Sequence, residues 1–350
     1  PNAFIGQSNR IYITTGLFSV ANNPEEISGV LAHEIGHVQA NHLNKRISKI
    51  KDSNIAIGIS NFLSLSASIL SNNPNIFIGS NISSSEIIKS DLSSYSKDQE
   101  READILAIQY LEKSKISTRG LENILKKMIL IEEKMGIKEE EINIFTHPYK
   151  IERLKSITKF QKNSKYNDSY FSENIRMRFK FVKAKIDGYT LSIEENKLKY
   201  SNRGLDYDKY ALSISYAREG YIEESLNYIN DLIRIYPNNH FFYETKGEIL
   251  LNFGYSDEAY SFFKKSLELS DSNDYLRIKI INHLFSNLKV NNNAEKIIKE
   301  YNLITINTDN NIRLLEIIYK THEFINNEDW MYLYLALIEN NKKNTELAKK

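Results

Sequence analysis

Residues 23–37 read Asn23-Pro24-Glu25-Glu26-Ile27-Ser28-Gly29-Val30-Leu31-Ala32-His33-Glu34-Ile35-Gly36-His37. Asn23 reads as an N-cap, because its short amide side chain can accept an unpaired N–H of the first turn. Pro24 suits the first helical position, and Glu25 and Glu26 meet the positive end of the helix dipole. Apolar Ile27, Val30, Leu31, Ile35 and Val38 recur at helical spacing, and the helix is expected to continue to about Lys49. On it His33 and His37 stand four positions apart, so their imidazoles project from one face about one turn apart. That spacing lets two ring nitrogens reach one zinc ion at about 2.0–2.1 Å. Glu34 lies about 100° round the helix from His33 and can address a water on the open side of the metal. The stretch thus predicts a helical metal site with Glu34 as general base.

A catalytic zinc site needs a third protein ligand and one open position. On an uninterrupted helix His42 lies about 140° off the direction of His37, and no Gly turn brings it back. It reads as a supporting or core histidine. The better candidate is Glu100 in Glu100-Arg101-Glu102-Ala103-Asp104, where Glu100 and Asp104 share one helical face. The longer Glu100 suits direct ligation. Asp104 suits accepting the N–H of a ligating histidine and fixing its tautomer. Glu102 is expected to point the other way, toward solvent or Arg101, and Ala103 to let the helix pack closely.

Outward from these segments, Arg10–Thr15 reads as a strand ended by Gly16, and helices are expected at about 53–70, 98–114 and 118–135. The Ser/Asn-rich stretch from Ser71 to Lys97 is long enough to be functional, and is read as a lid over the site. From about Asp206 a period appears. Gly220 and Gly254 are 34 residues apart, as are Ser225 and Ala259, and Ile229 and Phe263. Pro237 falls where a second helix ends. That is the spacing of tetratricopeptide repeats, in which small residues let paired helices approach. Later copies drift, with Leu288 in place of the turn glycine and Ala294 one residue out of step.

Bulk composition excludes several alternatives. Lys plus Arg (46) nearly cancels Asp plus Glu (45), which disfavours nucleic acid or an anionic membrane as partner. Cysteine is absent, so disulfides, thiolate metal sites and cysteine nucleophiles are all removed. The most apolar segment, Ile55–Leu70, carries several polar residues and is too short to span a bilayer. Membrane association is expected to be peripheral at most.

Several separate segments together resemble metallopeptidase family 48, which holds the prenyl-protein endopeptidases and the HtpX-type and Oma-type proteases. They are Asn2-Ala3-Phe4, Ile11-Tyr12-Ile13-Thr14-Thr15-Gly16-Leu17, His33-Glu34-Ile35-Gly36-His37, Glu100-x-Glu102-Ala103-Asp104, and Thr146-His147-Pro148 with Arg153. The repeats, and the connecting helix Met177–Asp187, are similar to the BepA-like periplasmic branch. The resemblance implies a mainly α fold. It comprises a zincin-like metalloprotease domain with a small β-sheet (1–160, read as N-terminally truncated), a connecting helical segment (161–205) and a tetratricopeptide-like superhelix (206–350).

It also implies one Zn2+ per chain on His33, His37 and Glu100, with Glu34 as base and Asp104 behind a ligand. His147 would sit near the open metal position, holding the enzyme latent or polarising the substrate carbonyl. Arg153 would support that loop or the substrate. The strand at Arg10–Thr15 would take a substrate peptide as an added strand. The implied substrates are unfolded or misassembled envelope proteins in the periplasm, with outer-membrane assembly machinery as a partner of the repeats. A rival class is a chaperone or assembly scaffold with a latent or idle zinc site, but an abandoned site has no chemical need of Glu34.

Overall fold

Alternation of Ala3 and Ile5 inward with Phe4 outward makes the start of the chain a strand, β1 (Ala3–Ile5). It pairs antiparallel with β2 (Ile11–Ile13) in the register Ala3↔Ile13, Phe4↔Tyr12, Ile5↔Ile11. Phe4 and Tyr12 stack across the pair with ring centroids 5.2 Å apart. Thr14 closes the ladder, donating N–H to Asn2 O at 2.9 Å and accepting the Asn2 N–H at 2.9 Å. The computed structural model describes residues 2–5, 10–45, 95–134, 136, 150–200, 204–271, 273–309 and 311–341. The helix expected at 53–70 and the Ser/Asn-rich stretch as far as residue 94 lie outside them.

The chain divides into two compact units, Pro1–Ile186 and Asp187–Lys350. In the first, α1 (Thr15–Val20) leads into α2 (Pro24–Gln39), where the Asn23 side chain accepts the Glu26 N–H at 3.0 Å. The first-turn acids do more than meet the helix dipole. Buried Glu26 accepts Lys127 Nζ at 2.6 Å, and buried Glu25 accepts both Arg176 Nη2 and the Phe171 N–H at 2.8 Å. The helix stops ten residues before Lys49, because Asn41 adopts φ 57° and the chain resumes helical hydrogen bonding only at 42–45. Asn is one of the few residues that tolerate this left-handed conformation.

Two further helices pack on α2, α3 (Lys97–Lys113) and α4 (Arg119–Lys134), and α5 (Lys150–Gln161) packs on these two. A capping box starts α3, with Ser96 and Gln99 each accepting the other's backbone N–H. Ile27 and Val30 of α2 join Leu17, Ile124 and Phe179 in one apolar cluster, while Ala32 joins Ala107, Leu111, Leu121 and Ile157 in another. Phe179 comes from α6 (Glu173–Thr190).

Two glycines set how closely α4 lies on α2. A Cβ at Gly29 would stand 2.5 Å from the Leu121 backbone N, and one at Gly120 would stand 2.1 Å from Glu25 O. Both obstacles are backbone, so no rotamer change relieves them. Gly120→Ala is therefore expected to cost about 1–3 kcal/mol or more, the range for forced overpacking. A urea titration of the intact chain checks this; an unchanged midpoint would show that the two helices can separate freely.

All the regular secondary structure among the described residues of the second unit is helical. After α7 (Ile193–Tyr200) come the helix pairs α8 (Asp206–Arg218) with α9 (Ile222–Ile235) and α10 (His240–Asn252) with α11 (Ser256–Leu269). The third pair is α12 (Asp274–Ser286) with α14 (Ala294–Tyr301), separated by the short α13 (Leu288–Asn291). The last is α15 (Ile312–Phe324) with α16 (Glu328–Asn341). Gly220 and Gly254 hold φ 90° and 89° in the turns between paired helices, a conformation that favours glycine. The repeating positions Ser225, Ala259, Ile229 and Phe263 are all fully buried. The drift has a structural counterpart: Leu288 is buried in the extra helix, and Asn292 takes the left-handed turn at φ 46°. Among the described residues no helix is long and apolar enough to cross a membrane.

Candidate active site

The same close approach that seats α4 brings α3 onto α2. A Cβ at Gly36 would meet Ala103 O at 2.6 Å, so a glycine on one helix faces a small residue on the other. Glu100 and Asp104 flank Ala103 on α3, and His33 and His37 flank Gly36 on α2. The contact therefore sets carboxylates against imidazoles. His33, Glu34, His37, Glu100 and Asp104 are all buried.

His33 Nε2 and His37 Nε2 lie 3.0 Å apart, and Glu100 offers Oε2 at 3.4 Å from the first and Oε1 at 3.3 Å from the second. A tetrahedral ion with bonds of about 2.0–2.1 Å has ligands about 3.3 Å apart. Two neutral imidazole nitrogens and one carboxylate are a common zinc donor set, and these three residues form the metal-capable cluster among the described residues. The donors fit a single divalent ion.

Behind the donors, His33 Nδ1 lies 2.8 Å from Asp104 Oδ1, which fixes a proton on Nδ1 and turns the Nε2 lone pair toward His37 and Glu100. Arg153, buried on α5, grips this set. Its Nη1 lies 2.7 Å from Glu100 Oε2, and its Nε and Nη2 each donate to Asp104 at 2.8 Å. Burial alone would raise the Asp104 pKa, but the Arg153 charge, the His33 charge and their hydrogen bonds hold it well below the usual carboxylate range. Burial likewise opposes charge on Arg153, and the Glu100 and Asp104 carboxylates outweigh it, with Glu34 adding to their field. Glu34 thus belongs to the same buried electrostatic cluster.

Removing one partner of a buried ion pair strands the other, at about 3–5 kcal/mol. Arg153→Met, which removes the cation that Glu100 and Asp104 share, is expected to lose that much in metal-free chain. Added zinc is expected to restore part of it. Denaturant titrations with and without a chelator test this, and a variant as stable as wild type would show that the carboxylates find other compensation.

His147 lies outside the described residues. The sequence reading misses Tyr95 and the contact made by Glu102, and it takes His42 as a supporting or core histidine turned away from His37. Tyr95 stacks on the His37 ring, with centroids 3.9 Å apart and planes at 23°. His42 does not point away: the left-handed turn at Asn41 redirects it, so that its Nδ1 lies 2.9 Å from His37 Nδ1. Glu102, expected to face solvent or Arg101, sets Oε2 at 3.1 Å from His42 Nε2. No local pattern marks Tyr95 or Glu102; a histidine five positions after His37 was the signal available for His42.

Comparison with known proteins reaches the same region. Residues 1–161 match the sequence model of peptidase family M48. A "Beta-barrel assembly-enhancing protease" from Yersinia pestis is 22% identical over 292 residues, covering 80% of this chain and 58% of that protein. The "Metalloprotease YcaL" of Escherichia coli (strain K12) is 30% identical over 121 residues, covering 34% of this chain and 44% of that protein. The chain spans about half the length of these curated relatives.

Proposed function

We propose that this chain is a zinc-dependent endopeptidase of peptidase family M48, whose sequence model matches residues 1–161. The observation that carries the proposal is the set of three buried donors on α2 and α3, with pairwise separations of 3.0–3.4 Å and Glu34 beside them. When bound, zinc supplies a water whose pKa falls to about 7 and a Lewis acid for a carbonyl. His33, His37 and Glu100 hold the ion. Glu34 takes the proton from the attacking water and returns it to the departing amine. Asp104 holds the His33 ring in the tautomer that ligates, and the Arg153 charge keeps Asp104 ionised. His147 is assigned to the open side of the site on the resemblance of its segment alone.

The substrates of this reading are unfolded or misassembled envelope proteins in the periplasm. The helix pairs after Asp206 act as tetratricopeptide-like repeats that engage substrate or an outer-membrane assembly partner. Support for this finer part is the 80% of the chain aligned with the Yersinia pestis protease, together with the periodic burial of the repeats. Cleavage of an unfolded casein, abolished by a chelator and restored by zinc, tests the activity. A chain that binds zinc and suppresses aggregation but cleaves nothing would replace it with the scaffold reading.

A further inference from the structure

We propose that His42 is a positioning residue for the metal site, accepting the His37 N–H through Nδ1 while Glu102 holds it in the one neutral tautomer able to do so. The inference rests on the zinc reading above and deepens it. His42 is fully buried, its Nδ1 is 2.9 Å from His37 Nδ1, and its Nε2 is 3.1 Å from Glu102 Oε2. The proton positions follow from donor and acceptor chemistry. An ionised carboxylate only accepts, so the His42 nitrogen facing Glu102 carries hydrogen. In a neutral ring the other nitrogen, Nδ1, is then an acceptor. It faces His37 Nδ1, which must carry hydrogen in turn. That leaves the His37 Nε2 lone pair free, and Nε2 is the atom 3.0 Å from His33 Nε2 and 3.3 Å from Glu100 Oε1.

Each histidine ligand is therefore backed by a carboxylate. Asp104 serves His33 directly, and Glu102 serves His37 through an intervening imidazole. The two supports differ in setting: Asp104 is buried, whereas the Glu102 side chain is 54% exposed. The buried link, His42, should accordingly matter more than the exposed one. The turn at Asn41 is what makes the arrangement possible, since a continued helix would carry His42 round to another face.

The test measures zinc affinity by competition with a chromogenic chelator, and the visible spectrum of the cobalt-loaded protein, in wild type, His42→Leu and His42→Asn. Leucine fills space without accepting a hydrogen bond, while the asparagine carbonyl oxygen can stand near the place of Nδ1. His42→Leu is expected to weaken zinc binding about 10–100-fold, the usual cost of losing a partner behind a metal ligand, and to shift the cobalt bands. His42→Asn is expected to regain most of the affinity and the wild-type spectrum. Equal affinity and spectra in wild type and His42→Leu would overturn the proposal, as would equal weakening in both variants. If His42→Leu does not fold, Glu102→Leu replaces it, with a smaller loss in the same direction expected and no loss counting against the proposal. A wild type that binds no zinc overturns the metal reading itself, which separates the two failures.

Discussion

Glu34→Gln is expected to keep its fold and its zinc and to lose about 10²–10⁴-fold in kcat on an unfolded protein substrate, the usual contribution of a general base. The amide matches the carboxylate in shape but cannot take a proton from water. Glu34 is no member of the three-donor cluster, so its replacement removes no ligand. Arg153 keeps its ion pairs to Glu100 and Asp104 in the variant. Metal content and melting temperature should therefore stay near wild type while turnover falls. Zinc analysis and initial rates on the same preparation separate these quantities. A fully metallated Glu34→Gln protein with activity within tenfold of wild type would assign the proton transfer to another group.

The parts of this site that were legible in the sequence are those set by spacing within one helix. Asn23-Pro24 marks the start of α2, and the separation of four residues puts His33 above His37 and Glu100 below Asp104 whatever the helices later touch. The end of α2 was not legible. Asn41 takes a left-handed conformation without the glycine that normally announces one, and the error passed directly to His42, which an unbroken helix turns away from His37. Contacts across long separations were likewise hidden. Arg153 reaches Asp104 from 49 positions away, and Glu102 meets His42 across 60. Even correctly read residues acquired other roles: Glu25 and Glu26 are first-turn acids, and both also anchor distant cations. In the second unit the period is plain where Gly220 and Gly254 make the turns, and fades where Asn292 and Asn326 take positive φ instead. Asn is too common in this chain to stand out as a turn marker, so the later repeats lost their punctuation while keeping their buried apolar positions.

Glu100→Gln is expected to separate metal binding from proton transfer in the opposite sense to Glu34→Gln. Glu100 is buried, touches both Nε2 donors and is the anionic member of the cluster. Its amide would keep the volume but supply a neutral, weaker oxygen donor. Hydrogen-bonding partners behind zinc ligands cost about 10–100-fold in affinity when removed, so loss of a ligand itself should exceed that and leave dialysed protein short of zinc. The stabilisation that zinc confers should vanish with it. An ion at about 100 times its dissociation constant adds roughly 2.7 kcal/mol to the folded state. Wild type should therefore melt higher with zinc than with chelator, and Glu100→Gln should melt alike in both. Asp104→Asn should fall between the two, because it weakens the hold on His33 without removing a donor. Full zinc retention and an unchanged zinc-dependent melting shift in Glu100→Gln would mean that the third ligand lies elsewhere, and the pairing of α2 with α3 would then serve packing alone.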